Sequence, residues 1–271
     1  MIDRYAVFGH PIAHSRSPEI HTRFARQTGQ TLTYEAILAP LDGLLDSIIR
    51  FRVQNGKGAN ITVPFKEQAF SLCTQRTPRA ELAGAVNTLV FEGERIFGDN
   101  TDGAGLVTDL TQNIGFALAG KRILLLGAGG AARGVIGPLL ACSPTRLVVA
   151  NRTEGRAQHL AAHFQQAGHP QISACTLDEV NTPFDLIINA TTSSLSGELP
   201  AVSSQIFTSV SLAYDLMYAQ SLTPFLEWAQ QHSAQTADGL GMLVEQAAEA
   251  FYLWRGLRPD TRSVIAALRG H

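Results

Sequence analysis

The chain has 271 residues, which is enough for two domains and too many for a single small one. Hydrophobic residues make up 45% of it and charged residues only 16%, and this balance favours the large buried surfaces of an α/β enzyme. The formal net charge of −2 and the lack of a long basic run disfavour a nucleic-acid partner.

Short apolar segments alternate with longer amphipathic ones along most of the chain, which is typical of βαβ units and a mostly parallel sheet. Ser17 is expected to cap the first helix, with Pro18 at its first position. In the first part we predict strands at 5–9, 33–38, 58–62, 87–92 and 95–99, and helices at 18–27, 43–54 and 102–115. In the second part we predict strands at 121–126, 147–150, 172–175, 185–189 and 211–215, and helices after 127–133 and at 154–167, 223–231, 240–255 and 260–269.

The cysteines and the N-terminus indicate the compartment. Cys73, Cys142 and Cys175 are far apart and form no CxxC pair, so we expect neither a zinc site nor a disulfide framework. Asp3 and Arg4 come early, no signal-peptide core follows, and no apolar stretch approaches the roughly 18 residues of a membrane span. We expect a reduced cytoplasmic protein with no metal and no membrane partner.

A glycine-rich turn follows the strand at 121–126 and opens a helix, which is the context that a dinucleotide-binding fingerprint requires. Its first glycine permits a tight turn, its second lets the backbone approach a pyrophosphate, and Ala132 is small enough for close packing of helix on strand. The candidate cofactor residues are Gly127, Ala128, Gly129, Gly130 and Ala131. A glycine turn without a ligand is the alternative.

The next strand ends in Asn151-Arg152-Thr153, where NAD enzymes carry an acid for the ribose 2′-hydroxyl. Here Arg152 offers a planar fork that suits the 2′-phosphate of NADP, and no acid is present to repel that phosphate. Alternatively, Thr153 caps the next helix and Arg152 is solvated. Arg156, one turn on, is as well explained by solvation as by binding.

A buried strand at 187–189 ends in small polar residues, Thr191 among them. Ligands gather at the carboxyl ends of strands in such sheets, so this turn is expected along the cofactor. A plain polar turn explains it equally well.

Five polar segments stand apart from the cofactor motifs. They are His14-Ser15-Arg16-Ser17-Pro18, the run from Asn60 to Lys66, Gly84-Ala85-Val86-Asn87-Thr88, the run from Gly98 to Gly103, and the run from Asp238 to Ala247. Singly, each has a structural explanation: Lys66 as a surface lysine, Asn87 as a turn residue, Asp102 as a helix cap, Gln246 as an exposed helix position.

Together and in this order, SRSP, NITVPFK, AVNT, DNTDG, GAGGAAR, NRT and DGLGMLVEQA resemble the shikimate dehydrogenase family over essentially the whole chain. The resemblance implies NADPH-dependent reduction of 3-dehydroshikimate to shikimate, a step of aromatic amino acid and chorismate biosynthesis. It also implies two α/β domains with an active-site cleft between them. The substrate-binding domain would comprise residues 1–103 plus 240–271, and a Rossmann-like NADP-binding domain residues 104–239.

The resemblance also implies residue roles. Lys66 and Asp102 match the catalytic pair, and Ser15 and Ser17 match serines that bind the substrate carboxylate. The positions that match residues at the ring hydroxyls, the carboxylate or the nicotinamide are Asn60, Thr62, Asn87, Gln246, Tyr218, Met217, Gly239 and Met242.

Two segments depart from the family pattern, the turn Thr192-Ser193-Ser194-Leu195 and the stretch after Tyr218. Both concern local cofactor contacts and leave the catalytic pair untouched. A quinate/shikimate dehydrogenase that uses NAD and a non-catalytic nicotinamide-binding sensor on the same fold remain as alternatives. An acid near Asn151 would favour the first, and loss of Lys66 or Asp102 the second. Monomer and homodimer are both open.

Overall fold

The computed structural model describes residues 2–191 and 198–270, so the departing turn at 192–195 lies outside the described residues. The chain forms two compact units, Met1–Gly105 with Leu243–His271, and Leu106–Met242. Each unit has its own six-stranded sheet. The α/β fold class is therefore confirmed.

The first unit contains a mixed sheet with the strand order β2-β1-β3-β5-β6-β4. Its strands are β1 Asp3–Gly9, β2 Leu32–Leu38, β3 Gly56–Ile61, β4 Gln75–Arg76, β5 Thr88–Glu92 and β6 Arg95–Asp99. Strand β1 pairs in parallel with β2 and β3, whereas β5 is antiparallel to β3 and β6. The hairpin predicted at 87–99 is confirmed, with its turn at Gly93, where φ is +55°.

The second unit contains a fully parallel sheet with the order β12-β11-β10-β7-β8-β9. Its strands are β7 Arg122–Leu126, β8 Arg146–Ala150, β9 Ile172–Cys175, β10 Leu186–Asn189, β11 Leu212–Asp215 and β12 Gln235–Asp238. The chain builds outward from β7 on one side and returns to build outward from β10 on the other. The boundary between β7 and β10 is thus the switch point at which Rossmann-like domains bind ligands.

The helices follow the predicted order with two additions. They are α1 Ser17–Gln27, α2 Leu44–Val53, α3 Lys66–Leu72, α4 Pro78–Ala83, α5 Asp102–Thr108, α6 Gly130–Ala141, α7 Glu154–Gln166, α8 Pro224–Gln231, α9 Leu240–Arg255 and α10 Thr261–Arg269. A π-helical turn, Asp109–Asn113, continues α5. The short helices α3 and α4 had no sequence prediction as elements, because seven and six residues show too little periodicity.

The predicted cap of α1 is wrong. Ser17 is the first helical residue, and the N-cap position belongs to Arg16, whose side chain makes no capping hydrogen bond. The Ser15 hydroxyl instead accepts from the Ser17 N–H at 3.3 Å. The serine that contacts the start of the helix thus lies two residues earlier than expected.

Each unit has its own apolar core. In the first, Phe8, Phe51 and Phe65 pack with Ile61 and Leu89. In the second, residues of the central strands pack against Phe225 and Leu226 of α8. No helix of the described residues is long and apolar enough to cross a membrane.

Candidate active site

Lys66 and Asp102 form an ion pair in the first unit. Lys66 begins α3 and Asp102 begins α5, so each short helix presents one partner at its first residue. The Lys66 Nζ donates to Asp102 Oδ2 at 2.6 Å, and only 11% and 6% of the two side chains is exposed. The explanation of Lys66 as a solvated surface lysine is therefore wrong.

Asn87 connects this pair to the rest of the site. Its Nδ2 lies 2.9 Å from Asp102 Oδ1, 2.9 Å from Thr101 Oγ1 and 3.2 Å from Gln246 Oε1. Its Oδ1 accepts from the Thr101 N–H and from the Thr88 hydroxyl. Gln246 is 8% exposed, so its explanation as an exposed helix position is wrong. Asn87 does lie in a bend, but it is 2% exposed and its side chain bonds to several residues of the site.

Close packing at Gly105 brings α5 against Gln246 of α9. A Cβ on Gly105 would lie 2.6 Å from the Gln246 backbone nitrogen, so only glycine allows this approach. The Gln246 Nε2 donates to the Leu243 carbonyl at 2.8 Å, which leaves Oε1 facing Asn87. The amide of Gln246 is thereby oriented in the site.

Asn60 and Thr62 lie at the end of β3, next to the segment that leads to Lys66. Asn60 Nδ2 donates to the Asn87 carbonyl at 3.2 Å, which links β3 to the Asn87 cluster. A Cβ on Gly9 would meet Thr62 Cγ2 at 2.5 Å, so the ends of β1 and β3 approach closely. Buried Ser17 and half-buried Ser15 follow β1 in the chain.

A second ion pair holds the loop before Asp102. Arg79 Nε donates to Asp99 Oδ1 at 2.7 Å, and the same carboxylate accepts from Thr77 at 2.6 Å and from the Asn100 N–H at 2.7 Å. Burial raises the pKa of the Asp99 carboxyl, but the hydrogen bonds from Arg79 and Thr77 outweigh it and leave that pKa below its usual value. The ionised carboxylate fixes the strand end from which Asp102 follows.

In the second unit, the strand ends are in register. Leu126 pairs with Ala150 on one side and Asn189 on the other, and Asn189 continues the row through Asp215 to Asp238. The predicted cofactor residues follow directly after these strand ends. The sheet therefore brings the glycine turn and the segments after β8, β10, β11 and β12 to one edge.

The glycine turn is tight at its first glycine and leads into a helix without a side-chain cap. Gly127 has φ of +109°, and a Cβ there would lie 3.1 Å from the Ala190 carbonyl. A Cβ on Gly129 would meet nothing within 4 Å, and Gly129 is the N-cap of α6, which has no side-chain cap. No side chain caps the first N–H groups of α6, which belong to half-buried Gly130 and Ala131 after buried Ala128, and free N–H groups at a helix start favour a bound phosphate.

After β8, Asn151 Nδ2 donates to the Thr153 carbonyl at 2.9 Å and shapes the turn. Thr153 is the N-cap of α7, although its hydroxyl makes no capping bond. Arg152 and Arg156 are exposed, and within residues 2–191 and 198–270 neither side chain has an ion pair or hydrogen bond. Both guanidinium groups are therefore available to an anionic ligand.

The remaining predicted residues lie after β10, β11 and β12. Thr191 donates from its hydroxyl to Asn189 Oδ1 at 2.7 Å. The Met217 carbonyl accepts from the Gly239 N–H at 2.9 Å, and a Cβ on Gly239 would lie 2.2 Å from the Leu216 carbonyl oxygen. Half-buried Tyr218 follows Met217, and Met242 is buried in the first turn of α9.

Sequence reasoning missed several residues that hold the site together. Thr88 and Thr101 bond directly to Asn87, although they stand inside the quoted motifs. Arg79 and Tyr34 lie outside those motifs and gave no signal, because their partners are distant in the chain. No group of three or more potential metal ligands is found within the described ranges.

A Rossmann-like unit with an open glycine turn, together with a buried lysine–carboxylate pair, defines the class as a two-domain nicotinamide-dependent dehydrogenase. Family models agree: residues 7–89 match the shikimate dehydrogenase substrate binding domain, 109–198 shikimate / quinate 5-dehydrogenase, and 239–269 the shikimate 5'-dehydrogenase C-terminal domain.

Similar proteins cover nearly the full length. Shikimate dehydrogenase (NADP(+)) of Nitrosospira multiformis is 57% identical over 99% of this chain and 98% of its own. Among solved structures, an Ael1 enzyme from Pseudomonas putida is 46% identical with a TM-score of 0.91, covering 98% of both chains. Shikimate 5-dehydrogenase from Thermus thermophilus, in complex with NADP(H) and shikimate, is 35% identical with a TM-score of 0.88, covering 99% of both. The chain belongs to the shikimate dehydrogenase family.

Proposed function

We propose that the chain is an NADP-dependent shikimate dehydrogenase, which reversibly reduces 3-dehydroshikimate to shikimate in aromatic amino acid biosynthesis. The observation that carries this proposal is the buried pair of Lys66 and Asp102, 2.6 Å apart, in a chain 57% identical to a shikimate dehydrogenase. A sensor on this fold has no need of a buried ammonium and carboxylate in contact.

The pair is suited to proton transfer. NADPH, when bound, supplies hydride to the ketone carbon, and negative charge then develops on the ketone oxygen. Lys66 Nζ donates a proton to that oxygen, and in the reverse direction it accepts the hydroxyl proton. Asp102 Oδ2 orients the ammonium, and Asn87 holds Asp102 through Oδ1.

The substrate is a small polyhydroxylated acid, and the first unit offers it neutral hydrogen-bonding groups. We assign the ring hydroxyls to Asn60, Thr62, Asn87 and Gln246, and the carboxylate to Ser15 and Ser17. The family resemblance also assigns Tyr218, which belongs to the second unit, to the carboxylate. A site of buried polar groups rejects analogues that lack a hydroxyl, because its own groups then stay unpaired.

The second unit holds NADP in this proposal. The backbone of 127–131 takes the pyrophosphate, and Asn151, Arg152, Thr153 and Arg156 take the adenosine end. The nicotinamide end falls to Thr191, Met217, Gly239 and Met242. Arg152 is exposed and has no protein partner among the described residues. This supports its assignment to the 2′-phosphate, since an arginine fork pairs with a phosphate through two hydrogen bonds.

Domain boundaries, assembly and location complete the proposal. Residues 1–103 with 240–271 bind substrate and 104–239 bind NADP. The enzyme acts in the cytoplasm as a monomer or homodimer. Its three free cysteines are consistent with a reducing compartment.

The test is an assay of purified protein with shikimate and quinate, each with NADP and NAD, followed by absorbance of the reduced cofactor. We expect the highest kcat/KM for shikimate with NADP. Preference for NAD or quinate would favour the quinate/shikimate alternative. Binding of NADP without turnover of either acid would favour the sensor.

A further inference from the structure

Tyr34 reaches across the first sheet to a proposed substrate-binding residue. It lies on β2, while Asn60 lies on β3, with β1 between them. The Tyr34 hydroxyl nevertheless donates to Asn60 Oδ1 at 2.7 Å, and both side chains are buried. No motif includes Tyr34, and no step described above uses it.

The hydrogen bonds of Asn60 define which of its atoms remains for a ligand. Its Nδ2 donates to the Asn87 carbonyl at 3.2 Å and to Thr88 Oγ1 at 3.1 Å, so both amide hydrogens have acceptors inside the protein. Only Oδ1, which accepts from Tyr34, has a further lone pair. A ligand hydroxyl can therefore reach Asn60 only as a donor to Oδ1.

The ring of Tyr34 is held by aromatic packing. His21 stacks on it with centroids 4.2 Å apart and planes 5° apart, and Trp254 lies 6.2 Å away at a tilt. Tyr34 also packs in an apolar cluster with Tyr5, Val7 and Ile12. A phenylalanine would fill the same space, and a buried hydroxyl costs free energy unless it is hydrogen-bonded. The Asn60 oxygen accepts from this hydroxyl, and the Ser17 side chain also acts on it, so the hydroxyl has polar partners in the fold.

We propose that Tyr34 is a positioning residue for substrate: its hydroxyl fixes the amide of Asn60 so that Oδ1 accepts a hydrogen bond from a ring hydroxyl of shikimate. The inference rests on the proposed function and deepens it. It implies that Tyr34 acts on substrate affinity through one hydroxyl and leaves hydride transfer and cofactor binding unchanged.

The test is Tyr34→Phe, which removes the hydroxyl and keeps the ring. We expect the KM for shikimate to rise about tenfold, the fold-change of one neutral hydrogen bond, with kcat and the KM for NADP within about twofold of wild type. Tyr5→Phe is the matched control, because Tyr5 lies in the same cluster and its hydroxyl faces Arg255. It should leave all three constants unchanged.

Substrate analogues separate positioning from a general loosening of the fold. In 4-deoxy- and 5-deoxyshikimate one ring hydroxyl is missing. For the analogue that lacks the hydroxyl held by Asn60, wild type and Tyr34→Phe should have the same KM, whereas the other analogue should keep the tenfold difference. Tyr34→Phe combined with Asn60→Ala should be no worse than Asn60→Ala alone.

The outcomes are distinct. A wild-type KM in Tyr34→Phe, or an equal rise for shikimate and both analogues, overturns the inference and leaves the proposed function intact. If Tyr34→Phe misfolds and titration calorimetry detects no binding of shikimate, the hydroxyl supports the fold as a whole, and the inference is also overturned. Wild-type protein that neither binds nor oxidises shikimate overturns the proposed function, and the inference with it.

Discussion

At the scale of single residues, burial gives Lys66 its role. An ammonium with 11% of its side chain exposed needs a charged partner, and Asp102 supplies one that Asn87 in turn orients. The three residues come from α3, from α5 and from the bend before β5, so no local segment of sequence contains the geometry. The motifs named all three residues, but only the fold shows that their atoms are in contact.

Replacing Lys66 tests its part in proton transfer. Lys66→Ala should lower kcat by about 10²–10⁴-fold, the usual contribution of a general acid, with a smaller change in the KM for shikimate. Lys66→Gln should recover little, because an amide donates a hydrogen bond but transfers no proton. Lys57→Ala, on the exposed side of β3, is the control with unchanged kinetics. A raised KM at wild-type kcat would instead indicate that Lys66 only binds substrate.

Replacing Arg152 tests cofactor choice. Arg152→Ala should weaken NADP by about 10–100-fold, since a hydrogen bond between charged groups contributes about 1.5–3 kcal/mol. NAD, which lacks the 2′-phosphate, should be used as before. Arg146→Ala, at the other end of β8, is the control and should change neither cofactor. Equal weakening of NADP and NAD would mean that Arg152 supports the turn and does not contact the phosphate.

At the scale of elements, the start of α9 is fixed by residues far away in the chain. Tyr214 of β11 is fully buried and donates to Asp109 Oδ2 at 2.7 Å, and Asn113 donates to the other carboxylate oxygen at 2.8 Å. A Cβ on Gly241 would lie 1.9 Å from Asp109 Oδ1. The held carboxylate therefore packs directly on the first turn of α9, next to Gly239 and Met242.

Gly241→Ala should disturb this contact. The new methyl group cannot displace a carboxylate that is held at both oxygens, so the first turn of α9 must shift. Overpacking of this kind costs about 1–3 kcal/mol, which corresponds to a Tm several degrees lower, and the KM for NADP should rise. Gly155→Ala, also at the second position of a helix but with nothing within 4 Å, should leave Tm unchanged or slightly higher. Thermal unfolding and NADP titration check both variants, and equal behaviour of the two would refute the steric argument.

The elements also show how far sequence patterns extend. Elements such as β9 and α9 were predicted with their observed bounds, because their hydrophobic periodicity or the residues that flank them indicate where they begin and end. The strands β4 and β12 and the helices α3 and α4 were missed because they are short. In β12 one residue is exposed and three are half-buried, so it has no clear apolar face. The cap of α1 was wrong by one residue because helix ends depend on local backbone geometry that residue type alone does not determine.

At the scale of the whole molecule, the sequence identified the two-unit α/β fold and the family, since seven ordered motifs extend over the chain. What it could not identify was the set of groups between the motifs. Tyr34 and His21 are separated by 13 positions, and their rings stack because α1 and β2 bring them together. Asp99 and Arg79, which form an ion pair, lie 20 positions apart on β6 and α4. Such pairs leave no pattern in a single sequence.

One of these groups, His21, should make the stability of the molecule depend on pH. The His21 ring is 1% exposed, neither of its nitrogens has a hydrogen-bond partner among the described residues, and burial lowers its pKa to about 3. In the unfolded chain its pKa is about 6.5. Below pH 6.5 the unfolded chain therefore binds a proton that the folded protein excludes. The free energy of unfolding should fall as pH drops from 6.5 toward 3, by up to about 1.4 kcal/mol per pH unit, and His21 should contribute no pH dependence above 6.5.

Urea unfolding between pH 4.5 and 7.5 measures this slope. The window lies above the range in which the lowered pKa of the Asp99 carboxyl acts, because that contribution is lost only below about pH 4. His21→Phe keeps an aromatic ring against Tyr34 but has no titrating group, so its free energy of unfolding should be flatter between pH 4.5 and 6.5 than that of wild type. His159→Gln, on the exposed face of α7, removes a histidine without removing a buried one and should keep the wild-type slope. Parallel curves for wild type and His21→Phe across this window would show that His21 takes up a proton in the folded state.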